Sequence, residues 1–388
     1  MSNFAFTTVH KVLCGEGTLA QINDELNSLS VTRPLIVTDQ GIVSAGLLDQ
    51  LYAAVNLDVE VFADVVADPP EEIVLRAAAV AETHQADGII GFGGGSSLDT
   101  AKVIARLACQ QQPENQQSLQ DMYGVDCVKG QRLPLVLIPT TAGTGSEATP
   151  VAVITTGETT KAGVVSSTLL PDVAILDATL TAGLPKHVTA ATGIDAMVHA
   201  IEAITSKIKR NPYSDMLAIQ ALGLLSRNIE TACNEPDNLT ARQDMLLGAF
   251  IAGQAFANAP VAGVHALAYP LGGHFHIPHG LSNALVLPHV LKFNASAAHA
   301  DYQRIAEVVG ITCGQAQAGI ALAEYFYTLS GKLSLPQTLE QCGVTEKDID
   351  ILASDAMLQT RLLVNNPRDI ALDDAKTIYT QALRGEAV

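Results

Sequence analysis

Short apolar runs alternate with longer amphipathic stretches in the first half of the chain. The runs are rich in Ile, Val and Leu and are bounded by turn-forming residues, a pattern typical of buried strands. The predicted strands are Pro34–Thr38, Val59–Phe62, Gly88–Phe92, Leu135–Pro139, Val151–Thr155 and Val173–Leu176. Helical spacing lies between them, as in Glu71–His84 and Ser97–Ala108. This alternation predicts an α/β fold with a parallel sheet covered by helices.

The pattern changes near Leu184-Pro185, after which strand signals almost disappear. Long Ala- and Leu-rich stretches follow, and they predict helices. These stretches are Thr189–Lys207, Pro212–Cys233, Leu239–Ala257, Ser296–Val309 and Gly314–Ser330. We therefore predict an α/β domain over residues 1–184 and an all-helical domain over residues 185–388. The Gln-rich segment Gln110–Gln120 is predicted to be an exposed loop.

The composition agrees with two well-packed domains. A chain of 388 residues is too long for one core of ordinary size. Hydrophobic residues make up 48% of it, which excludes a disordered protein. Because Trp is absent and aromatic residues are only 4%, small aliphatic side chains must fill the core.

The charge and the cysteines narrow the classes of partner. Lys and Arg number 22 against 40 Asp and Glu, so the net charge of −18 would repel nucleic acid and anionic membranes. We find no apolar run of the ~20 residues that span a bilayer, and the first residues do not resemble a signal peptide. The six cysteines are scattered without a C-x-x-C pair, which favours a reducing compartment. The sequence therefore predicts a cytoplasmic protein.

Two glycine-containing loops are candidates for phosphate binding. The segment Gly93–Ser97 follows the predicted strand Gly88–Phe92 and opens a helix near Leu98. Unpaired N–H groups at a helix N-terminus bind phosphate, and glycines let the backbone approach it. An ordinary strand-to-helix turn explains this loop equally well. A second loop, Pro139–Glu147, carries three threonines and two glycines after another predicted strand.

Asp39 ends the predicted strand Pro34–Thr38. A carboxylate in this place accepts hydrogen bonds from ribose hydroxyls and repels a 2′-phosphate, which would favour NAD over NADP. A turn-forming role before Gln40-Gly41 is the competing interpretation.

A carboxylate and several histidines indicate a metal site in the second half of the chain. Asp195 and His199 are four residues apart in a predicted helix, so they project from one face. Five of the ten histidines fall in one short region that we interpret as a His-dense loop. They are His265, His274, His276, His279 and His289. Imidazole nitrogens and a carboxylate oxygen suit a divalent transition metal.

Taken together, these segments resemble the iron-containing (group III) alcohol dehydrogenase family over nearly the whole chain. The matching segments are GGGSSLDTAK (Gly93–Lys102), IPTTAGTGSEAT (Ile138–Thr149), PDVAILDATL (Pro171–Leu180), TAATGIDAMVHAIEA (Thr189–Ala203), GGHFHIPHG (Gly272–Gly280) and NNPR (Asn365–Arg368). Several long motifs in the same order make this resemblance specific.

The resemblance implies an N-terminal NAD-binding domain, a C-terminal metal-binding domain, and a site in the cleft between them. It implies metal ligands at Asp195, His199, His265 and His279. The cofactor contacts that it implies are Asp39, Gly94, Gly95, Ser96, Ser97, Thr140, Thr141, Thr144 and Lys161. Many family members have a histidine four residues after the third ligand, where this chain has Tyr269. Proton transfer is therefore assigned to Tyr269, His274 or His276.

The function expected from this resemblance is reversible hydride transfer between NAD and a small primary alcohol, diol or hydroxyaldehyde. The metal is expected to be Fe²⁺, although three histidines and a carboxylate also suit Zn²⁺, Ni²⁺ or Co²⁺. A homodimer or higher homo-oligomer is expected. The rivals are a polyol (glycerol-type) dehydrogenase, a lyase similar to dehydroquinate synthase, and a non-catalytic metal- or nucleotide-binding protein. The lyase would need a Lys and Arg cluster for a polyanionic substrate, and the nearest candidate is Lys207, Lys209 and Arg210.

Overall fold

The computed structural model describes residues 3–109, 116–157 and 160–385. Within them the chain forms two compact units. Residues 7–183 form the α/β unit, and residues 184–385 together with residues 3–6 form the helical unit. Phe4 and Phe6 join the helical unit through contacts with the ring of Tyr213, at centroid distances of 5.9 and 5.5 Å. The predicted Gln-rich loop lies partly outside the described residues, at 110–115.

The described part of the α/β unit contains nine strands. They are β1 (Lys11–Cys14), β2 (Pro34–Asp39), β3 (Glu60–Val65), β4 (Gly88–Gly93), β5 (Gly124–Val125), β6 (Leu135–Pro139), β7 (Val151–Thr156), β8 (Thr160–Val165) and β9 (Val173–Leu176). Its helices are α1 (Ile22–Ser28), α2 (Gln40–Ser44), α3 (Leu47–Ala54), α4 (Glu71–His84) and α5 (Gly95–Leu107). Six strands form a parallel sheet in the order β1-β9-β6-β4-β2-β3, which confirms the predicted fold class for this unit.

The parallel sheet is buried on both faces because helices cover each of them. Along β2, Leu35 and Val37 enter one hydrophobic cluster while Ile36 enters the other. Successive side chains of a strand point to opposite faces, so a strand between two helical layers must be apolar at every position. Helices α4 and α5 contribute to the first cluster, and α1 and α3 contribute to the second. This double burial explains the continuous apolar runs in the sequence.

The prediction for Val151–Thr155 was wrong in one respect. This segment is β7, and it belongs to a separate three-stranded sheet in the order β5-β8-β7, where it pairs antiparallel with β8. Its burial alternates along the strand, as expected for a strand with only one covered face. The strands β1, β5 and β8 were not predicted because their sequences are short or polar.

The helical unit is built from ten α-helices among the described residues. They are α6 (Lys186–Thr205), α7 (Pro212–Asn234), α8 (Leu239–Asn258), α9 (Gly263–Phe275), α10 (His279–Asn294), α11 (His299–Val308), α12 (Ala318–Lys332), α13 (Ile349–Ala356), α14 (Thr360–Leu363) and α15 (Leu372–Arg384). The all-helical prediction is confirmed. Among the described residues, no single helix is long and apolar enough to cross a membrane. Helices α8 and α9 meet that test only as a pair bent by 107°.

The predicted His-dense loop is helical. Helix α9 runs to Phe275 and α10 begins at His279, so only residues 276–278 are a loop. Pro270, Gly272 and Gly273 lower the helix propensity of α9. Burial of its apolar side chains, including Leu267 and Leu271, overrides that propensity.

The NNPR motif (Asn365–Arg368) forms hydrogen bonds with the last residue of α10. The side chains of Asn294 and Asn366 are both buried, and each amide donates to the oxygen of the other, at 3.0 and 2.8 Å. The neighbouring Asn365 donates to the carbonyl oxygen of Val261, just before α9. The motif therefore ties a late segment of the chain to the two helices that carry His265 and His279.

We expect Asn366→Ala to lower the free energy of unfolding by about 1–3 kcal/mol, since it removes both hydrogen bonds that the buried Asn294 side chain makes with Asn366. Denaturant unfolding monitored by circular dichroism measures this change. The double variant Asn294→Ala/Asn366→Ala should lose much less than the sum of the two single variants, because both disrupt the same pair. Additive losses would show that the reciprocal pair does not act as one unit.

Candidate metal centre

Helix α6 presents two candidate metal ligands on one buried face. Asp195 and His199 are four residues apart, so they lie one turn above each other. The side chains are 2% and 5% exposed, which leaves them almost no contact with water. Buried polar groups of this kind need polar partners, and α9 and α10 supply them.

Two further histidines reach Asp195 from α9 and α10. His265 lies in the first turn of α9, and His279 is the first residue of α10. Helix α10 approaches α6 closely at Gly280, where a Cβ would stand 2.5 Å from the carbonyl oxygen of Ala191. Glycine at this position therefore lets His279 come within reach of Asp195.

Three imidazoles approach one oxygen of Asp195. The Oδ1 atom of Asp195 lies 3.9, 3.8 and 3.7 Å from the Nε2 atoms of His199, His265 and His279. The ligand atoms of Asp195, His265 and His279 all lie within 4.8 Å of one another. Donors around a tetrahedral ion with bonds of about 2.1 Å are separated by roughly 3.4 Å. The separations of Asp195 Oδ1 from the three nitrogens thus lie close to those of a coordination shell.

The orientation of the Asn283 side chain indicates that this cluster attracts a cation. Its Nδ2 atom donates to Asp195 Oδ1 at 2.6 Å and lies 3.2 and 3.4 Å from the Nε2 atoms of His279 and His265. Its Oδ1 atom is buried with no hydrogen-bond partner in the described part of the chain. The positive end of the amide dipole therefore points at the common centre of these donors. A positive group is what the cluster attracts, so the residues fit a divalent metal.

The electrostatics of the cluster favour an ionised carboxylate. Burial alone would raise the pKa of Asp195, but the three histidines and the Asn283 amide outweigh it and hold that pKa below its usual value. Burial likewise opposes a charge on His265, but the hydrogen bond and charge of Glu202 outweigh it and raise the pKa of His265. The cluster therefore gathers negative charge on Asp195 and Glu202, with His265 between them.

The three candidates for proton transfer have different surroundings. Tyr269 lies one turn after His265 on α9, and its ring centroid is 5.7 Å from that of His279. His274 bonds through Nε2 to the carboxylate of Asp355 at 2.5 Å. His276 is exposed and ends α9 in a left-handed conformation, with φ of 54°. Tyr269 therefore contacts the ring of His279, one of the candidate metal ligands.

The first glycine loop lies between β4 and α5 in the α/β unit. Gly93 has φ of 146°, a conformation that L side chains rarely adopt, and Gly94 is the N-cap of α5. The second loop touches the first, because a Cβ on Gly95 would stand 2.8 Å from Thr144 Cγ2. Gly94, Gly95, Ser96, Thr141 and Thr144 are partly exposed, whereas Ser97 and Thr140 are buried.

Asp39 has the predicted turn-forming role and also lies beside the first glycine loop. Its Oδ1 atom accepts from the backbone N–H groups of Gly41 and Ile42, so it caps α2. Its Oδ2 atom accepts from Ser97 Oγ at 3.1 Å, which places the carboxylate beside the first glycine loop. Lys161 lies on β8, where its ammonium pairs with Asp68 at 2.5 Å.

A buried polar network that the sequence analysis did not identify joins the two loops. Asp99 of α5 accepts from Ser146 Oγ at 2.5 Å and from the Val153 N–H at 2.9 Å. Lys102, one turn later, donates to the carbonyl oxygen of Val151 at 2.7 Å. Burial raises the pKa of the neighbouring Glu147 to about 7. Asp99 and Lys102 are three residues apart in the motif Gly93–Lys102, and this spacing could have indicated that they share one face of a helix.

Comparison with known proteins decides the family. The family model described as iron-containing alcohol dehydrogenase matches residues 9–178, and the model of the C-terminal part of the Fe-containing alcohol dehydrogenase family matches residues 189–383. The chain belongs to the iron-containing alcohol dehydrogenase family. Among the relatives of this alcohol dehydrogenase is the long-chain-alcohol dehydrogenase 1 of Geobacillus thermodenitrificans, 40% identical over 96% of this chain and 95% of the relative.

Solved structures of the same family share the fold of this alcohol dehydrogenase. A 1,3-propanediol oxidoreductase is similar with a TM-score of 0.93 and 34% identity, covering 98% of this chain and 100% of that chain. A sulfoacetaldehyde reductase from Bifidobacterium kashiwanohense, solved in complex with NAD⁺, is similar with a TM-score of 0.88 and 29% identity. That match covers 98% of this chain and 99% of the other.

We expect Gly94→Ala to weaken NAD binding about tenfold or more, a loss of about 1.4 kcal/mol. The added Cβ would lie 3.7 Å from Thr141, so the folded protein accommodates it. The methyl group would stand at the α5 N-terminus, where we expect the phosphates. Titration calorimetry measures the affinity. Gly183→Ala is the control, because its Cβ meets open space. Equal NAD affinity in the two variants would contradict the role of this loop.

The raised pKa of the buried Glu147 should make the free energy of unfolding depend on pH. Its folded pKa of about 7 lies above the ordinary glutamate pKa of 4.5, so the folded protein holds more protons than the unfolded chain between these pH values. The free energy of unfolding should therefore fall as the pH rises from about 4.5 to about 7. Glu147→Gln should reduce this fall, as measured by denaturant unfolding across the pH range. The exposed Glu82→Gln should leave it unchanged, and an unaltered slope in Glu147→Gln would disprove the assignment.

Proposed function

We propose that the chain is a metal-dependent, NAD-linked alcohol dehydrogenase that acts on a small primary alcohol, diol or hydroxyaldehyde. One observation carries the proposal: Asp195 Oδ1 lies 3.7–3.9 Å from three imidazole nitrogens. Three imidazole nitrogens and one carboxylate oxygen are ligands that divalent transition metals prefer, and such an ion takes a substrate oxygen by expanding to five-coordination. The family membership supports the same chemistry.

In this proposal Asp195, His199, His265 and His279 hold a divalent ion, and family membership favours Fe²⁺ over Zn²⁺, Ni²⁺ or Co²⁺. A bound ion supplies Lewis acidity toward the substrate oxygen. The His279 side chain is 33% exposed, whereas those of the other three ligands are at most 5% exposed. We therefore assign the approach of substrate to the side of His279.

The two glycine loops are proposed to hold the phosphates of NAD. NAD supplies the hydride acceptor when bound. Backbone N–H groups at the α5 N-terminus offset the net negative charge of the protein locally. The Asp39 carboxylate lies beside this loop and would repel a 2′-phosphate, so we propose NAD over NADP. Ser96, Thr141 and Lys161 are the further proposed contacts.

Tyr269 is the proposed proton-transfer residue. Its position one turn after His265 places the phenol on the same helical face as a metal ligand. His274 is engaged with Asp355, and His276 is exposed at the end of α9. The phenol of Tyr269 lies beside His279. We therefore propose that its oxygen exchanges a proton with the substrate hydroxyl.

The rival lyase receives little support. Its polyanionic substrate would need unpaired cations, but Arg210 bonds to Asp215 and Asp301, and Lys207 pairs with Asp369. A polyol dehydrogenase remains the second candidate, because a similar structure is a 1,3-propanediol oxidoreductase. A cytoplasmic location and a homo-oligomer stay predictions.

Substitution of single ligands tests the proposed metal centre. His279→Ala should lose bound iron and lower the rate of alcohol-dependent NAD reduction more than about 100-fold. Removing a ligand should exceed the 10–100-fold effect that is typical of residues behind the ligands. Metal analysis and initial rates with a panel of alcohols and diols measure both effects.

The matched control is His276→Asn, because asparagine tolerates the left-handed conformation of that exposed position. Its iron content should equal that of the unmodified protein, and circular dichroism checks the folding of both variants. Full iron occupancy in a folded His279→Ala protein would disprove the ligand set. Absence of NAD reduction with every alcohol, despite full iron occupancy, would disprove the dehydrogenase activity.

A further inference from the structure

Glu202 is a buried carboxylate near the end of the motif Thr189–Ala203, and it has no role in the proposed ligand set. It lies on α6, three residues after His199 and seven after Asp195, so all three share one face of the helix. The residue is 3% exposed. A charge so deeply buried must be compensated by hydrogen bonds or opposite charge.

Three donors converge on this carboxylate. The backbone N–H of Ala262 donates to Oε2 at 2.9 Å, and the backbone N–H of Val264 donates to Oε1 at 2.6 Å. The third partner is His265 Nδ1, 2.7 Å from Oε2. Each oxygen therefore accepts one backbone N–H, and Oε2 also faces the ring nitrogen of His265.

The two backbone bonds cap helix α9. The N-cap residue is Ala262, whose methyl side chain cannot accept hydrogen bonds from the free N–H groups of the first turn. Glu202 takes that role from the neighbouring helix, and its negative charge is favourable at a helix N-terminus. The position of His265 in the first turn of α9 is thereby set relative to α6.

The third bond determines which nitrogen of His265 carries a proton. A carboxylate at Nδ1 requires a proton on that atom, so the neutral imidazole has its lone pair on Nε2. Nε2 is the atom that lies 3.8 Å from Asp195 Oδ1. The ring is thus held with its free lone pair directed at the cluster.

We infer that Glu202 is a positioning residue for metal binding, which fixes both the ring orientation and the tautomer of His265. The inference rests on the proposed metal centre. Helix α6 then provides two ligands and also the group that orients a third. Carboxylates behind ligating histidines act in this way in other metal sites.

Glu202→Gln separates this role from simple capping. An amide accepts at one atom and donates at the other, so it cannot accept from Val264 and from the Ala262 and His265 pair together. When its NH₂ group faces His265, the ring must carry its proton on Nε2 and loses the lone pair that faces Asp195. We expect the zinc dissociation constant of Glu202→Gln to rise about 10–100-fold, as measured by chelator competition on metal-stripped protein.

The matched control is Glu25→Gln, which makes the same change in another buried carboxylate, one that pairs with Lys11 in the α/β unit. Its zinc dissociation constant should match that of the unmodified protein. Equal weakening in the two variants, or unchanged affinity in Glu202→Gln, would overturn the positioning role. Failure of the unmodified protein to bind zinc would instead refute the proposed metal centre.

A measurement on the unmodified protein keeps the inference testable if Glu202→Gln does not fold. Nitrogen-15 NMR of the metal-free protein at alkaline pH reports which ring nitrogen is protonated, with His265→Gln assigning the signals. We expect the proton on Nδ1 of His265. A proton on Nε2 would overturn the inference.

Discussion

The buried carboxylate of Asp195 imposes the main constraint on the helical unit. An ionised carboxylate without partners costs several kcal/mol in a protein interior, so polar groups must surround it. Three imidazoles from α6, α9 and α10 and the amide of Asn283 do so within 3.9 Å. Because Asp195, His199 and Glu202 must share one face, the rotation of α6 about its axis is determined as well. The close approach at Gly280 and the Asn294–Asn366 pair then hold α10 in the matching position.

The elements that the sequence predicts well are those whose environment is uniform along their length. Strands β2, β4, β6 and β9 are buried on both faces, so each appears as an unbroken apolar run. Strand β8 could not be predicted in this way, because its residues are mostly half-buried and its position depends on pairing with β7. Helix α9 was mistaken for a loop since Pro270 and the glycines argue locally against a helix that tertiary burial stabilises.

The candidate site divides in a similar way. The i, i+4 spacing identifies Asp195 and His199 from local sequence alone, whereas only the family resemblance distinguishes His265 and His279 from three neighbouring histidines. Asn283 and Glu202 were missed because their contacts join residues far apart in the chain. A periodic signal was nevertheless present: Asn283 follows His279 by four residues, and Glu202 follows His199 by three. Extending the face of each ligand-bearing helix by one turn would have found both.

The donors of this cluster are contributed by three helices that are made at different times. A chain growing on the ribosome contains Asp195 and His199 long before His279 is added, and two donors one turn apart bind a divalent ion weakly. The complete set of donors exists only after α10 has been synthesised and has packed against α6. An ion can be held by all four donors only after that packing, so a complete site of this kind forms late in the making of the chain. The ion acquired depends on which metals surround the finished protein at that moment, as well as on the affinity of its ligands.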